Sequence, residues 1–126
     1  MANAGVNVLV VTDAVWVEND VRASLTDPGT IVQRVADPNL AVEAAIEHSP
    51  DVAVIDLQVG ATGGMAVVRA LRAAVDSEAI KPVRTVLLLD RDADHFIARR
   101  AGADAAVVKP FTAQDLRAAV ALPAPV

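Results

Sequence analysis

The chain has 126 residues, a formal charge of −5, no cysteine and three aromatic side chains, Trp16, Phe96 and Phe111. That length suits one domain, expected over 1–126 with an ordered core of about 5–122 and no output domain; the missing thiols exclude disulfides, thiol catalysis and cysteine-ligated zinc. The acidic balance and the few aromatics argue against a nucleic-acid surface, and no apolar run is long enough to cross a bilayer, so a cytoplasmic location with no membrane contact is expected.

Val6 to Val11 reads as a first strand, apolar apart from Asn7, and it ends on Thr12 and Asp13. Val15, Val17, Val21 and Leu25 then recur at helical spacing to about Thr26, where Asp27-Pro28-Gly29 closes the helix. Thr30 to Val35 alternates in part, as an edge strand does. Asp37-Pro38 is a helix start, an N-cap acid followed by proline at the first helical position. That helix runs through Leu40, Ala44 and Ile46 to His48.

Val52 to Asp56 is an unbroken apolar run that stops on a carboxylate, the pattern of a strand buried on both faces. A turn with Gly60, Gly63 and Gly64 follows, then a helix from about Met65 to Val75 carrying Val68, Leu71 and Arg72. Thr85 to Leu89 is the most apolar strand and ends on Asp90. A helix of about two turns passes through Phe96, Ile97 and Arg100 and closes at Gly102. Ala105 to Val108 is the last strand, ending on Lys109-Pro110. Thr112 caps a final helix with Leu116, Ala119 and Val120 inward, before a fraying Pro123–Pro125 tail. His48 and His95 are isolated and read as helix-surface residues.

Five strands alternating with five helices imply a parallel sheet covered on both faces, because each parallel crossover is right-handed and needs a helix. In open sheets of this kind, ligands bind beyond the carboxyl ends of the strands. Asp13, Asp56, Asp90 and Lys109 all occupy such ends. Singly, each has a plain structural explanation: a helix cap, a solvated strand end, a surface charge.

Their order and spacing resemble a response-regulator receiver domain, the phosphoacceptor module of two-component signalling. The match runs from Val8–Asp13 through Pro50–Asp56, with Gly64 eight residues after the aspartate, to Ala101–Asp104 and Val107–Phe111. The resemblance implies a flavodoxin-like (βα)5 doubly wound fold of sheet order 2-1-3-4-5, with Asp13 and Asp56 facing one crevice. It implies Asp56 as phosphoacceptor, Mg²⁺ held by Asp13, Asp56 and the Gln58 carbonyl, and Lys109 paired with a phosphoryl oxygen. The family's Lys-Pro pair stands here as Lys109-Pro110.

Four departures lie at this site. Thr12 replaces the first member of an acidic pair, so Mg²⁺ affinity is expected to be weak. The loop over 59–64 lacks the family's proline and is expected to be flexible. Asp90 stands where a Ser or Thr hydroxyl is usual; a carboxylate there repels phosphate unless protonated. Two geometries are open for it, an ion pair with Lys109 or a cap on the following helix. Ala106 replaces the aromatic that moves with the switch.

Three functions follow for test. The first is an atypical stand-alone receiver acting through protein contacts, its phosphorylation switch altered or absent. The second is a conventional receiver phosphorylated on Asp56 by a histidine kinase. The third, a nucleotide or flavin binder, lacks a glycine-rich phosphate loop after the first strand. Beyond self-phosphorylation and dephosphorylation, no enzyme is expected. The partner is expected to be a histidine kinase or another signalling protein, with a homodimer open through the face of helix 4, strand 5 and helix 5.

Overall fold

A computed structural model describes residues 5–60 and 63–121. Five strands, β1 (Asn7–Val11), β2 (Ile31–Val35), β3 (Val52–Asp56), β4 (Arg84–Leu89) and β5 (Ala105–Val108), form one sheet. All pair in parallel in the order β2-β1-β3-β4-β5, as expected. The helices are α1 (Val15–Ser24), α2 (Ala41–His48), α3 (Gly64–Asp76), α4 (His95–Ala101) and α5 (Ala113–Val120).

The unbroken apolar strands are explained by two cores, one on each face of the sheet. Val8, Val10, Val52, Val54, Val86, Leu88 and Val107 pack under α1 and α5, with Val17, Val21, Leu116 and Val120. Leu9, Val11, Ala53, Ile55, Leu87 and Leu89 pack under α2, α3 and α4, with Val67, Val68 and Leu71. Successive residues of each strand thus serve opposite cores, as the two-residue repeat of a strand requires. No described helix is long and apolar enough to cross a membrane.

Several local expectations need correction. α1 ends at Ser24 rather than Thr26, and Val15 lies outside the buried stripe. Asp37 caps a short 3₁₀ turn, Pro38–Leu40, accepting from the Asn39 amide, before α2 begins. In α2 the buried positions are Ala41 and Ala45, while Leu40 and Ile46 are exposed. Likewise Ala98 and Ala101 anchor α4, and Phe96 faces outward. Small side chains let these helices approach the sheet closely, so size alone misjudges the inner face. Thr112 does cap α5, its hydroxyl accepting from the Asp115 amide. The expected flexibility over 59–64 and the fraying tail fall partly on 61–62 and 122–126, outside the described residues. On either side of the first gap the chain is tied down: Gly63 donates to the Val59 carbonyl and Gly64 to the Leu57 carbonyl.

Gly64 begins α3 directly against the end of β3. A Cβ there would lie 2.5 Å from the Asp56 carbonyl oxygen and 2.9 Å from the Leu57 Cα, both backbone atoms. Gly64→Ala is therefore expected to destabilise the fold by about 1–3 kcal/mol, as overpacking does, measured by urea unfolding.

Candidate functional site

At the carboxyl ends of β1, β3, β4 and β5, the alternation of the strands selects which polar residues meet. Val8 and Val10 precede Thr12, Val52 and Val54 precede Asp56, Val86 and Leu88 precede Asp90, and Val107 precedes Lys109. All these valines and leucines belong to the α1/α5 core. Extending each strand by its own two-residue repeat puts Thr12, Asp56, Asp90 and Lys109 on one side of the sheet. Asp13 has the opposite parity.

The contacts follow that rule. Lys109 Nζ lies 2.6 Å from Asp56 Oδ1 and 3.1 Å from Asp90 Oδ1. The Asp56 and Lys109 side chains are only 4% and 9% exposed, so their attraction acts with little water between them. The buried Thr12 hydroxyl donates to Asp56 Oδ2 at 2.9 Å. Gln58 bridges the two acids: its backbone amide donates to Asp56 Oδ1 at 3.2 Å, and its side-chain amide donates to Asp90 Oδ2 at 2.7 Å. The Lys109 ammonium also stands 5.8 Å from the centre of the half-exposed Trp16 ring, within cation–π range.

Burial disfavours the charged Lys109, but the hydrogen bond and charge of Asp56, joined by those of Asp90, outweigh it and raise the pKa above a lysine's usual value. Partial burial also opposes the charge on Asp90, yet Gln58, Lys109 and Arg91 together bring its pKa below the ordinary carboxylate value. At the other end of the sheet Asp51 is lowered too, first by the Asn7 backbone amide it accepts, against some desolvation, then by Lys81.

The signs differ at the two ends of the pH scale. The two depressed acids stabilise the fold above their unfolded value of 3.8, and that contribution is lost as pH falls through their lower folded values. Lys109 stabilises it fully below 10.5, and this is lost as pH rises through the higher folded value. Urea melts across pH are expected to weaken at both extremes. Lys81→Met is expected to change the acid limb little, because the Asn7 amide dominates at Asp51.

Of the two geometries open for Asp90, the ion pair is the one present. The following turn is capped instead by Asp94, which accepts from the Arg91 amide and guanidinium. Among the described residues, Asp13 makes no hydrogen bond or ion pair with the pit formed by Asp56, Asp90 and Lys109: its carboxylate accepts from the Gly60 amide at 3.1 Å, tying β1 to the loop after β3. Gly60 adopts φ +53° there, a left-handed conformation that favours glycine. Lys109-Pro110 is cis. Ala106 pairs with Leu87 and faces the other core.

Thr12 and Lys109 engage the two Asp56 oxygens, and the Gly60 amide engages Asp13. Asp13, Asp56 and the Gln58 carbonyl are the oxygen donors that the family resemblance implies for Mg²⁺, with Asp13 tied to the loop that leaves Asp56. By the repeat of β1, Asp13 has the parity opposite to Thr12. The same signal, legible in the sequence, would have marked Thr12 as the direct partner of Asp56. Arg34, which donates to the Thr12 carbonyl, and Glu18, which pairs with Arg34, belong to no motif that marks them in the sequence.

A family model described as response regulator receiver domain matches residues 8–121. Among solved structures, the Vibrio cholerae chemotaxis protein CheY4 is 26% identical, with a TM-score of 0.76 over 91% of this chain and 95% of that one. The receiver domain of the Pseudomonas aeruginosa sensor histidine kinase PA1611, solved with magnesium coordinated in its active-site cleft, is 24% identical with TM-score 0.76, covering 93% of this chain and 95% of that one. The receiver domain of Saccharomyces cerevisiae Ssk1, solved with the phosphotransfer protein Ypd1, is 19% identical with TM-score 0.82, covering 95% and 89%. With the fold, the strand-end lysine and aspartate and a family match over most of its length, the chain belongs to the receiver domains of response regulators, in two-component signalling.

Proposed function

We propose that this chain is an atypical receiver that works through protein contacts while its phosphoryl site is held closed by the chain's own charges. The observation that carries the reading is Lys109 shared between Asp56 and Asp90. Asp90 supplies the anion that an incoming phosphoryl group would otherwise bring to Lys109. A phosphoryl group would have to displace that carboxylate and then sit beside it without a hydroxyl donor. Ala106 removes the aromatic half of the usual switch, so Asp56 chemistry has no large side chain on β5 to move.

The partner is a histidine kinase or another signalling protein. The surface of α4, β5 and α5 offers His95, Arg99 and Arg100 with Gln114, Asp115 and Arg117, a mixed-charge face suited to a protein or to a second copy. The test is to expose the protein to a small phosphodonor or beryllium fluoride with Mg²⁺, reading intact mass and Trp16 emission. Neither is expected to change. A gain of one phosphoryl group that Asp56→Asn abolishes would overturn the reading in favour of a conventional phosphoacceptor.

A further inference from the structure

Thr12 is anchored from outside the pit by Arg34 of the edge strand β2, which is itself held by Glu18 of α1. Arg34 lies on β2 opposite Val10, and its side chain runs forward past the end of β1. There Arg34 Nη1 donates to the Thr12 carbonyl at 3.2 Å. Arg34 Nε pairs with Glu18 Oε1 of α1 at 2.7 Å, and Arg22 holds the second oxygen of the same carboxylate at 2.9 Å. Each Glu18 oxygen thus has its own arginine, which fixes the carboxylate and, through it, the Arg34 guanidinium.

We infer that Arg34, held by Glu18, is a positioning residue for Asp56, acting through Thr12. The chain of contacts is continuous: Glu18 to Arg34, Arg34 to the Thr12 carbonyl, and the Thr12 hydroxyl to Asp56 Oδ2. The hydroxyl has a fixed sense, because the Ala14 amide donates to its oxygen at 3.1 Å and its single hydrogen is left for Asp56. Anchoring the Thr12 carbonyl sets the peptide plane from which that side chain projects. One oxygen of the acid is thereby held by β1, while Lys109 and Gln58 hold the other. This inference rests on reading the pit as the functional centre, but not on whether Asp56 accepts phosphate.

The test reads the pit directly by nuclear magnetic resonance, through exchange of the Thr12 hydroxyl proton and the carboxyl carbon shift of Asp56, with no phosphodonor present. Arg34→Met keeps most of the stem and removes both donors; it is expected to speed hydroxyl exchange about tenfold and to move the Asp56 signal. Arg34→Lys, which keeps one donor, should restore part of the protection. Arg22→Met, which loosens Glu18 but leaves the Arg34–Glu18 pair in place, should shift both signals less than Glu18→Gln does. Glu18→Gln gives the same direction of change as Arg34→Met, with smaller size, and serves if Arg34→Met does not fold. Pit signals unchanged in the Arg34 or Glu18 variants, with only a lower melting temperature, would assign the pair to stability alone and overturn the inference. Phosphoryl acceptance is measured separately by mass, so the two readings fail independently.

Discussion

Lys109→Met is expected to be the most destabilising single change in the pit. It removes the cation from between two carboxylates and leaves Asp56, almost fully buried, facing Asp90 across the gap. Removing one partner of a buried pair costs about 3 kcal/mol, because the remaining charge loses its compensation without regaining water. In a domain of this size that corresponds to a fall in Tm of roughly 10 °C. Asp56→Asn supplies the contrast. Lys109 then keeps Asp90, and the asparagine keeps hydrogen-bonding capacity toward Thr12 and Gln58, so a smaller loss is expected. The alkaline weakening assigned to Lys109 should also vanish in Lys109→Met. Equal losses in the two variants, by calorimetry at neutral pH, would show that the shared ion pair is not what stabilises the pit.

Asp90→Thr is expected to open the site to phosphoryl chemistry. The change removes a negative charge held 3.1 Å from the Lys109 ammonium and supplies a hydroxyl that can donate to an oxyanion. A like charge several ångströms from an arriving phosphoryl group costs a few kcal/mol at a partly screened site, so its removal should raise the rate of adduct formation about a hundredfold. Asp90→Asn separates the two contributions, since it removes the charge without adding a hydroxyl. If repulsion dominates, Asp90→Asn recovers most of the gain. If neither variant forms an adduct that depends on Asp56, the closure does not reside in Asp90. Gln58 loses its carboxylate partner in the Thr variant, so its side-chain amide signals should also report the release.

Much of the fold was legible because local rules and tertiary packing agree. The runs Val52–Asp56 and Thr85–Leu89 have no polar alternation since each strand serves two cores, and that is visible in the residues themselves. Asp37-Pro38, Gly102 and Thr112 act as punctuation wherever they stand, because caps depend on neighbours within a few residues. The inner faces of α2 and α4 were less legible. There alanines are buried while Ile46 and Phe96 are exposed, a choice made by how closely each helix approaches the sheet.

The amino-acid order by itself determined the alternation of strands and helices, the parallel sheet, and the placing of Asp56, Asp90 and Lys109 at strand ends, all consequences of short-range pattern. Only the tertiary structure decided which of these polar groups touch. Whether Asp90 reaches Lys109, whether Asp13 reaches the Gly60 amide, and whether Arg34 reaches Thr12 depend on distances between segments far apart in the chain, set by strand register and by a gap of a few ångströms. Charge interactions and hydrogen bonds change steeply over that range, and no pattern along the sequence encodes it.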